Sequence, residues 1–133
     1  MIIAVDFDGV LCENRFPEIG KPNYEVVSLV REMMDAGHEV VLWTSRNGQE
    51  LKNAVKWCDD RGLHFCAVNE PAPSNAEAYE GVYEVPTRKI YADVYIDDHN
   101  LEYIGEGPEG YKWLVTYMRK LTKRVGGNHN GKR

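Results

Sequence analysis

The stretch "IIAVDFDGVL", residues 2–11, opens with four apolar residues and then places two carboxylates around a phenylalanine. The apolar run predicts a buried β-strand. Because alternate side chains of an extended chain share a face, we expect Asp6 and Asp8 to point the same way while Phe7 packs on the opposite side. Gly9 follows directly and permits a sharp turn of the backbone. The sequence therefore predicts a core strand that ends in an acidic pair.

Beyond this strand, the apolar residues alternate between strand spacing and helix spacing. Helical spacing runs from Asn23 to Gly37 and from Leu51 to Gly62, and a closing helix is predicted from Tyr111 onwards. Alternating strands and helices predict an α/β fold, a doubly wound Rossmann-like parallel sheet in a single domain. The three further strands are predicted from "EVVLWT" (39–44), "HFCAV" (64–68) and "DVYI" (93–96).

Length and composition limit the class of protein. With 133 residues, of which 43% are hydrophobic, the chain fits one compact domain, which we expect over residues 1–125 with a disordered tail over 126–133. Cys12, Cys58 and Cys66 form no CxxC pattern, so neither a disulfide framework nor a zinc site is indicated. The sequence shows no membrane-spanning run and no signal peptide, so we expect a cytoplasmic protein without a membrane partner.

The formal charge of -5 conceals an uneven distribution. Seven Lys or Arg and no acidic residue lie between Tyr111 and Arg133, which leaves 9 basic and 21 acidic side chains in residues 1–110. An acidic body argues against a broad nucleic-acid-binding face. The basic end is interpreted as cations near a helix C-terminus, although its contact with a nucleic-acid phosphate stays open.

Polar side chains follow three of the predicted strands. Asp6 follows the first, Thr44 and Ser45 follow the second, and Asp97 and Asp98 follow the last. Open parallel sheets bind ligands outside the carboxyl ends of their strands. Carboxylates that crowd this edge repel one another unless a cation is bound, and a divalent metal is the simplest candidate. The DxDG motif alone also fits a calcium-like or turn-forming acidic loop.

Four motifs in order resemble those of the haloacid dehalogenase (HAD) superfamily, in its phosphatase branch. They are "DFDGV" at 6–10, "LWTS" at 42–45, Lys89 and "YIDD" at 95–98, and together they cover the chain from residue 2 to about residue 100. The resemblance implies a Rossmann-like domain that hydrolyses phosphomonoesters through an aspartyl-phosphate. It also implies Mg²⁺ as cofactor and a phosphorylated small molecule or macromolecular end as substrate.

The resemblance assigns roles to the acidic residues. Asp6 is implied to be the nucleophile that attacks phosphorus, with its other oxygen on Mg²⁺. Asp8 is implied to protonate the leaving group and then to deprotonate water, while its backbone carbonyl ligates the metal. Dehalogenases of the superfamily lack this second aspartate, which favours phosphoryl chemistry. Asp97 is implied to ligate Mg²⁺ directly. Asp98 is implied to bind it through a water molecule or to contact the residues that ligate it.

The resemblance also assigns the groups that hold phosphate. Thr44 is implied to hydrogen-bond a phosphoryl oxygen, and Lys89 to offset the negative charge on the phosphoryl group and Asp6. Arg88 is the alternative cation. Ser45 and Arg46 are candidates for substrate binding. An exposed loop position is the competing interpretation for Arg46, as it is for two further neighbours of the motifs, His99 and Asn100.

Two stretches decide whether a cap domain is present. Thirteen residues between Gly9 and Asn23 suffice for a short flap, and the stretch from Asn69 to Arg88 is predicted to be irregular. We therefore expect a capless enzyme with an open site. In the family, openness accompanies large substrates or a neighbouring subunit that serves as lid, so a homo-oligomer is one expectation.

Two other interpretations stay open at this stage. A receiver domain of two-component signalling also uses a phosphorylated Asp and Mg²⁺, but its acidic pair comes first in the chain, whereas here the acidic pair comes last. A non-catalytic HAD-like module that binds phosphate or metal is the second. The substrate is also open between sugar phosphates, nucleotides, phosphoproteins and polynucleotide ends.

Overall fold

The structure, a computed structural model, describes residues 1–82, 88–100, 112 and 115–123. Its strands are β1 (Ile2–Val5), β2 (Cys12–Arg15), β3 (Glu18–Pro22), β4 (Glu39–Leu42), β5 (Ala67–Val68) and β6 (Val94–Ile96). Its helices are α1 (Tyr24–Asp35), α2 (Gly48–Asp60) and α3 (Pro73–Ala78). Residues 115–123 are also helical, which confirms the described part of the predicted closing helix. The predicted tail, residues 126–133, lies outside the described residues.

Four parallel strands form the central sheet in the order β5-β4-β1-β6. The chain moves outward from β1 to β4 and β5, and then returns to the other side of β1 to add β6. The strand order therefore reverses at β1, and in open α/β sheets the crevice at such a reversal is where ligands bind. The predicted α/β Rossmann-like fold is confirmed.

The sheet buries side chains on both faces. One face holds the larger apolar cluster, which includes Ile3 and Val5 of β1 and is covered by residues of α1, α2 and the helix at 115–123. The opposite face holds a smaller cluster with Ile2, Ala4 and Val41, covered by Ala72, Ile90 and Ala92. This alternation along β1 fixes the side from which Asp6 emerges.

The stretch between β1 and α1 forms an antiparallel hairpin of β2 and β3 rather than a cap domain. Gly20 is required for its close pairing, because a Cβ at this position would lie 2.4 Å from the carbonyl oxygen of Glu13. Phe16 and Pro17 form the tip. The predicted short flap is thus a two-stranded element, whose register shifts between Cys12 and Asn14.

The boundaries of several elements differ from the sequence predictions. β4 ends at Leu42 and β5 contains only Ala67 and Val68, so both strands are shorter than predicted. α2 starts at Gly48, before the apolar repeat begins, because its first turn is exposed and carries no periodic signal. The segment predicted to be irregular contains α3, which buries no residue and starts with Pro73. Proline suits the first turn of a helix.

No helix in the described part of the chain combines the length and apolarity that crossing a bilayer requires.

Candidate active site at the sheet edge

Asp6 and Asp97 lie side by side because their strands pair directly. Val5 of β1 is in register with Ile96 of β6, and the backbone N–H of Asp6 donates to the carbonyl oxygen of Ile96 at 2.9 Å. Asp98 follows, and one carboxylate oxygen each of Asp6, Asp97 and Asp98 lies within 4.8 Å of the others. The predicted convergence of these three acidic residues is confirmed.

Gly9 allows Asp98 to reach this cluster. Its φ of +83° is in the left-handed region, and a Cβ at this position would lie 2.0 Å from Oδ2 of Asp98. Any larger residue would therefore displace the Asp98 carboxylate. The glycine of the DFDG motif thus serves both the turn and the close approach of the acidic residue.

The electrostatics of the cluster favour a bound cation. Burial, with the negative charges of Asp97 and Asp98, raises the pKa of Asp6 to about 8, although the N–H of Phe7 donates to Oδ1 of Asp6 at 2.8 Å and lowers it. Burial is also the main cause that raises the pKa of Asp98. Within the described residues, Oδ1 of Asp98 is buried without a hydrogen-bond partner, and Nε2 of His99 lies 3.8 Å from it. Three carboxylates, one of which has a buried oxygen without a hydrogen bond, fit a hard divalent cation.

Asp8 is held apart from this cluster by Arg46. Nε of Arg46 donates to Oδ2 of Asp8 at 2.8 Å, and Nη2 donates to Oδ1 at 2.8 Å. The pair is therefore bidentate, and the hydrogen bonds to Asp8 raise the pKa of the guanidinium. The Asp8 carboxylate is not among the three carboxylates of the acidic cluster, which are those of Asp6, Asp97 and Asp98. The predicted opposite placement of Phe7 is confirmed, since its ring is fully buried against Trp57.

Arg46 also fastens the hairpin over the site. Nη1 donates to the carbonyl oxygen of Pro17 at 3.1 Å, and Nη2 donates to that of Glu18 at 2.9 Å. Only 2% of Arg46 is exposed, so the interpretation as an exposed loop residue is wrong. The reason is that the β2–β3 hairpin folds back over the loop after β4. Direct substrate binding by Arg46 stays a prediction, and it would cost the guanidinium one of these protein partners.

Thr44 has its backbone fixed and its hydroxyl proton available. The N–H of Thr44 donates to Oδ1 of Asn69 at 2.8 Å, and Oγ1 of Thr44 accepts from the N–H of Arg46 at 3.1 Å. Asn69 follows β5, has a φ of 54°, and donates its own N–H to the carbonyl of Leu42. Sequence reasoning missed Asn69, although it is a polar residue directly after a predicted strand.

A single cavity of about 540 Å³ joins these groups. It contains both aspartates of the DFDG motif, Asp97 and the predicted substrate-binding residues after β4. The further wall residues are Asn14 and Phe16 from the hairpin, Trp43 before Thr44, and His99. The complete lining is Asp6, Asp8, Asn14, Phe16, Trp43, Thr44, Ser45, Arg46, Asp97 and His99. Of the hairpin residues, neither Asn14 nor Phe16 was predicted, because their place in the site depends on how the hairpin folds back.

Lys89 is not among the residues that line this cavity. It is exposed, and Nζ lies 5.6 Å from the centroid of the Tyr95 ring on β6. Arg88 is also exposed. The assignment of either residue as the cation that offsets phosphate charge stays a prediction.

A solved structure shares this fold. It is described as the structure of a conserved protein coded by a locus from Bacteroides thetaiotaomicron, with 36% sequence identity, a TM-score of 0.68, and coverage of 90% of this chain and 91% of that chain. The chain belongs to the family of that Bacteroides protein. The likeness covers nearly the whole of both proteins and agrees with a single small α/β domain. No protein-family model and no curated protein matches the sequence.

Proposed function

We propose that this protein is a phosphatase of the HAD type, which hydrolyses phosphomonoesters with Mg²⁺ through an aspartyl-phosphate on Asp6. The observation that carries the proposal is the cluster of Asp6, Asp97 and Asp98 at the strand-order reversal, two of which, Asp6 and Asp97, line a cavity together with Asp8 and Thr44. This combination supplies a nucleophile, metal ligands, a second carboxylate and a hydroxyl donor within one cavity.

Asp6 and Asp97 would hold the Mg²⁺, with Asp98 supporting it from beside Gly9. When bound, the metal supplies positive charge that offsets the charge of the phosphoryl group. The fit rests on the buried Asp98 oxygen, which has no hydrogen-bond partner among the described residues, and on the burial of Asp6, since both make the acidic cluster unfavourable without a cation. Oδ1 of Asp6 accepts the N–H of Phe7, and this hydrogen bond orients the Asp6 carboxylate.

The reaction has two steps. In the first, an Asp6 oxygen forms a bond to phosphorus while the bond from phosphorus to the ester oxygen breaks, and Asp8 gives a proton to that oxygen. In the second, water forms a bond to phosphorus and gives a proton to Asp8, while the bond from phosphorus to Asp6 breaks. The products are an alcohol and inorganic phosphate, and both aspartates return to their starting states.

Asp8 has to change partners for this role. Both of its oxygens accept hydrogen bonds from Arg46, so at least one of them must be released and must take up a proton from water before Asp8 can protonate the leaving group. We assign the observed pair to the resting site. Thr44 and Ser45 would donate their hydroxyl protons to phosphoryl oxygens, and Lys89, or alternatively Arg88, would offset negative charge.

The same ion pair favours a second candidate function. In a non-catalytic module that binds metal or phosphate, whether HAD-like or receiver-like, Asp8 would remain on Arg46 and serve only to hold the hairpin. Such a protein would bind Mg²⁺ without releasing phosphate.

A chain of this composition would act in the cytoplasm without a membrane partner, and a second copy of the chain could cover the open cavity.

The test is phosphate release from a panel of phosphomonoesters, with and without Mg²⁺. Asp6→Asn removes the nucleophile, and Asp60→Asn, which changes an exposed carboxylate on α2, is the control for charge. Metal-dependent release by the wild type and by Asp60→Asn, but not by Asp6→Asn, is the expected result. Magnesium binding without release from any ester would support the non-catalytic module instead.

A further inference from the structure

The cavity that contains Asp6 and Asp97 is also lined by aromatic residues. Phe16 at the hairpin tip and Trp43 beside Thr44 both line it. Phe16 is 59% exposed although it is a large apolar residue. An exposed ring is unremarkable on a surface at large, but here the ring borders the same cavity as the proposed nucleophile.

Arg46 contacts the Phe16 ring, and hydrogen bonds fix the backbone on both sides of it. The guanidinium carbon of Arg46 lies 5.1 Å from its centroid, within the range of a cation–π contact. The N–H of Phe16 donates to Oδ1 of Asn14 at 3.3 Å, and the next carbonyl, that of Pro17, is bound by Arg46. A ring that is already ordered loses little conformational freedom when a ligand packs on it.

Trp43 joins the aromatic wall to the phosphate end. The backbone N–H of Trp43 donates to the carbonyl oxygen of Val5 at 2.9 Å, which extends the pairing of β4 with β1 by one residue. Its ring is partly buried against the smaller apolar cluster. Thr44 comes next, so an aromatic ring and the proposed phosphate ligand are adjacent on one fixed segment.

The charge of the chain limits the size of the ligand. Residues 1–110 contain 9 basic and 21 acidic side chains. A polynucleotide would bring many phosphates against this acidic body. A mononucleotide brings one phosphate, which would lie beside the metal ion that the acidic cluster is proposed to bind. A cavity of about 540 Å³ is in the range of small-molecule sites.

We propose that the substrate class is the nucleoside monophosphates, with the base stacked on Phe16 and the phosphate at Asp6. The inference rests on the proposed phosphatase function and names its substrate. A flat base suits an exposed, ordered ring, since every base offers a π-face for stacking.

The test compares two esters that share one leaving group. AMP and ribose 5-phosphate both release the primary hydroxyl of a ribose, so a difference in kcat/KM reports the replacement of the anomeric hydroxyl by the base. With Mg²⁺ present we expect AMP to be preferred roughly tenfold or more, the usual worth of one base on one aromatic ring. Equal kcat/KM values would overturn the substrate class and leave the phosphatase function standing.

Variants at position 16 separate stacking from bulk. Phe16→Leu keeps apolar volume but removes the ring, so the ratio of AMP to ribose 5-phosphate should fall towards one. Phe16→Tyr keeps the ring and should keep the ratio. Tyr24→Ala is the control, because Tyr24 is 73% exposed and is not among the cavity-lining residues. A ratio that survives Phe16→Leu would overturn the role of Phe16.

Two further measurements complete the design. A 5′-phosphorylated oligonucleotide should be a poorer substrate than AMP, and a better one would replace mononucleotides by polynucleotide ends. Hydrolysis of other esters in the panel but not of AMP would overturn the substrate class and leave the phosphatase function standing. If no ester of the panel is hydrolysed, the phosphatase proposal fails, and the inference is then decided by calorimetric titration with Mg²⁺ present. AMP should bind at least tenfold more tightly than ribose 5-phosphate, and equal affinity would overturn the inference as well.

Discussion

Arg46 donates a hydrogen bond to each oxygen of the Asp8 carboxylate from a position that is almost completely buried. The Asp8 side chain is itself only 16% exposed, so each partner depends on the other for charge compensation. The pair connects the loop after β4 to the acidic motif after β1 and, through two carbonyls, to the hairpin.

Removal of Arg46 should be strongly destabilising. Arg46→Ala leaves a carboxylate without its partner in a largely buried position and should lower the free energy of unfolding by about 3 to 5 kcal/mol. Urea denaturation measures this. Arg119→Ala, which breaks an exposed pair with Glu25, should cost less than about 1 kcal/mol. Equal losses for the two variants would contradict the structural role of Arg46.

The coupling of the pair should appear in a double-mutant cycle. Asp8→Ala and Arg46→Ala together should cost clearly less than the sum of the single changes, by about 1 kcal/mol or more, because the second change removes the group that the first left unpaired. Urea denaturation of all four proteins gives the value. Additive losses would mean that the two side chains stabilise the protein independently.

Asp8→Asn should separate catalysis from metal binding. Loss of the proton-transfer group should reduce kcat roughly 10²- to 10⁴-fold. Mg²⁺ affinity should remain nearly unchanged, because the Asp8 carboxylate is not part of the acidic cluster. Phosphate release and calorimetric titration with Mg²⁺ measure the two quantities. Undiminished turnover would show that another group transfers the proton.

Mg²⁺ should stabilise the protein through the acidic cluster. We expect the melting temperature of the wild type to rise with added Mg²⁺, since a ligand that binds only the folded state stabilises it. Asp98→Asn relieves repulsion and should melt higher than the wild type without metal, but gain less from Mg²⁺. Asp60→Asn is the control, because Asp60 is an exposed carboxylate on α2 outside the acidic cluster. An equal response to Mg²⁺ in Asp98→Asn and the wild type would place the metal elsewhere.

Gly9→Ala should cost more than a change in backbone preference alone. A Cβ at Gly9 meets the carboxylate of Asp98, whereas a Cβ at Gly37, whose φ is +90°, meets nothing within 4 Å. Gly37→Ala should therefore cost only the strain of a left-handed residue, about 1 to 2 kcal/mol. Gly9→Ala should cost more and also weaken Mg²⁺ binding. The same urea midpoint for both variants would rule out the clash.

Asp93 should stabilise the fold in a pH-dependent manner. Its carboxylate accepts the N–H of Ile2 and the hydroxyl of Tyr91, and these hydrogen bonds lower its pKa. A lowered folded-state pKa gives stability that is present above the unfolded pKa of roughly 3.9 and is lost as the pH falls through the folded value. Asp93→Asn should therefore have a lower urea midpoint than the wild type at pH 7. The difference should shrink below pH 4, and a constant difference would contradict this.

The acidic cluster could be predicted because it depends on strand ends. Asp6 and Asp97 follow apolar runs in the sequence, and parallel pairing of β1 with β6 brings such ends together regardless of other details. The convergence of Asp98 with them follows from its position next to Asp97 and from Gly9. These features need only the period of a strand and the topology of an α/β sheet.

The ion pair and the cavity wall could not be predicted in the same way. Arg46 meets Asp8 because the hairpin of β2 and β3 closes over the loop after β4, and no periodicity encodes that return. Asn69 carries a signal in hindsight, since it follows a short strand as the other site residues do. α3 has no apolar repeat because it buries no side chain, so helix periodicity could not reveal it.

The hairpin is attached to the loop after β4 through main-chain oxygens. Arg46 binds the carbonyls of Pro17 and Glu18, and every amino acid carries a carbonyl. The side chains at the tip can therefore be exchanged without loss of this attachment, whereas Gly20 and Arg46 cannot. An engineer could diversify positions 14 and 16, which line the cavity, as a library for altered substrate preference while leaving the proposed catalytic groups untouched.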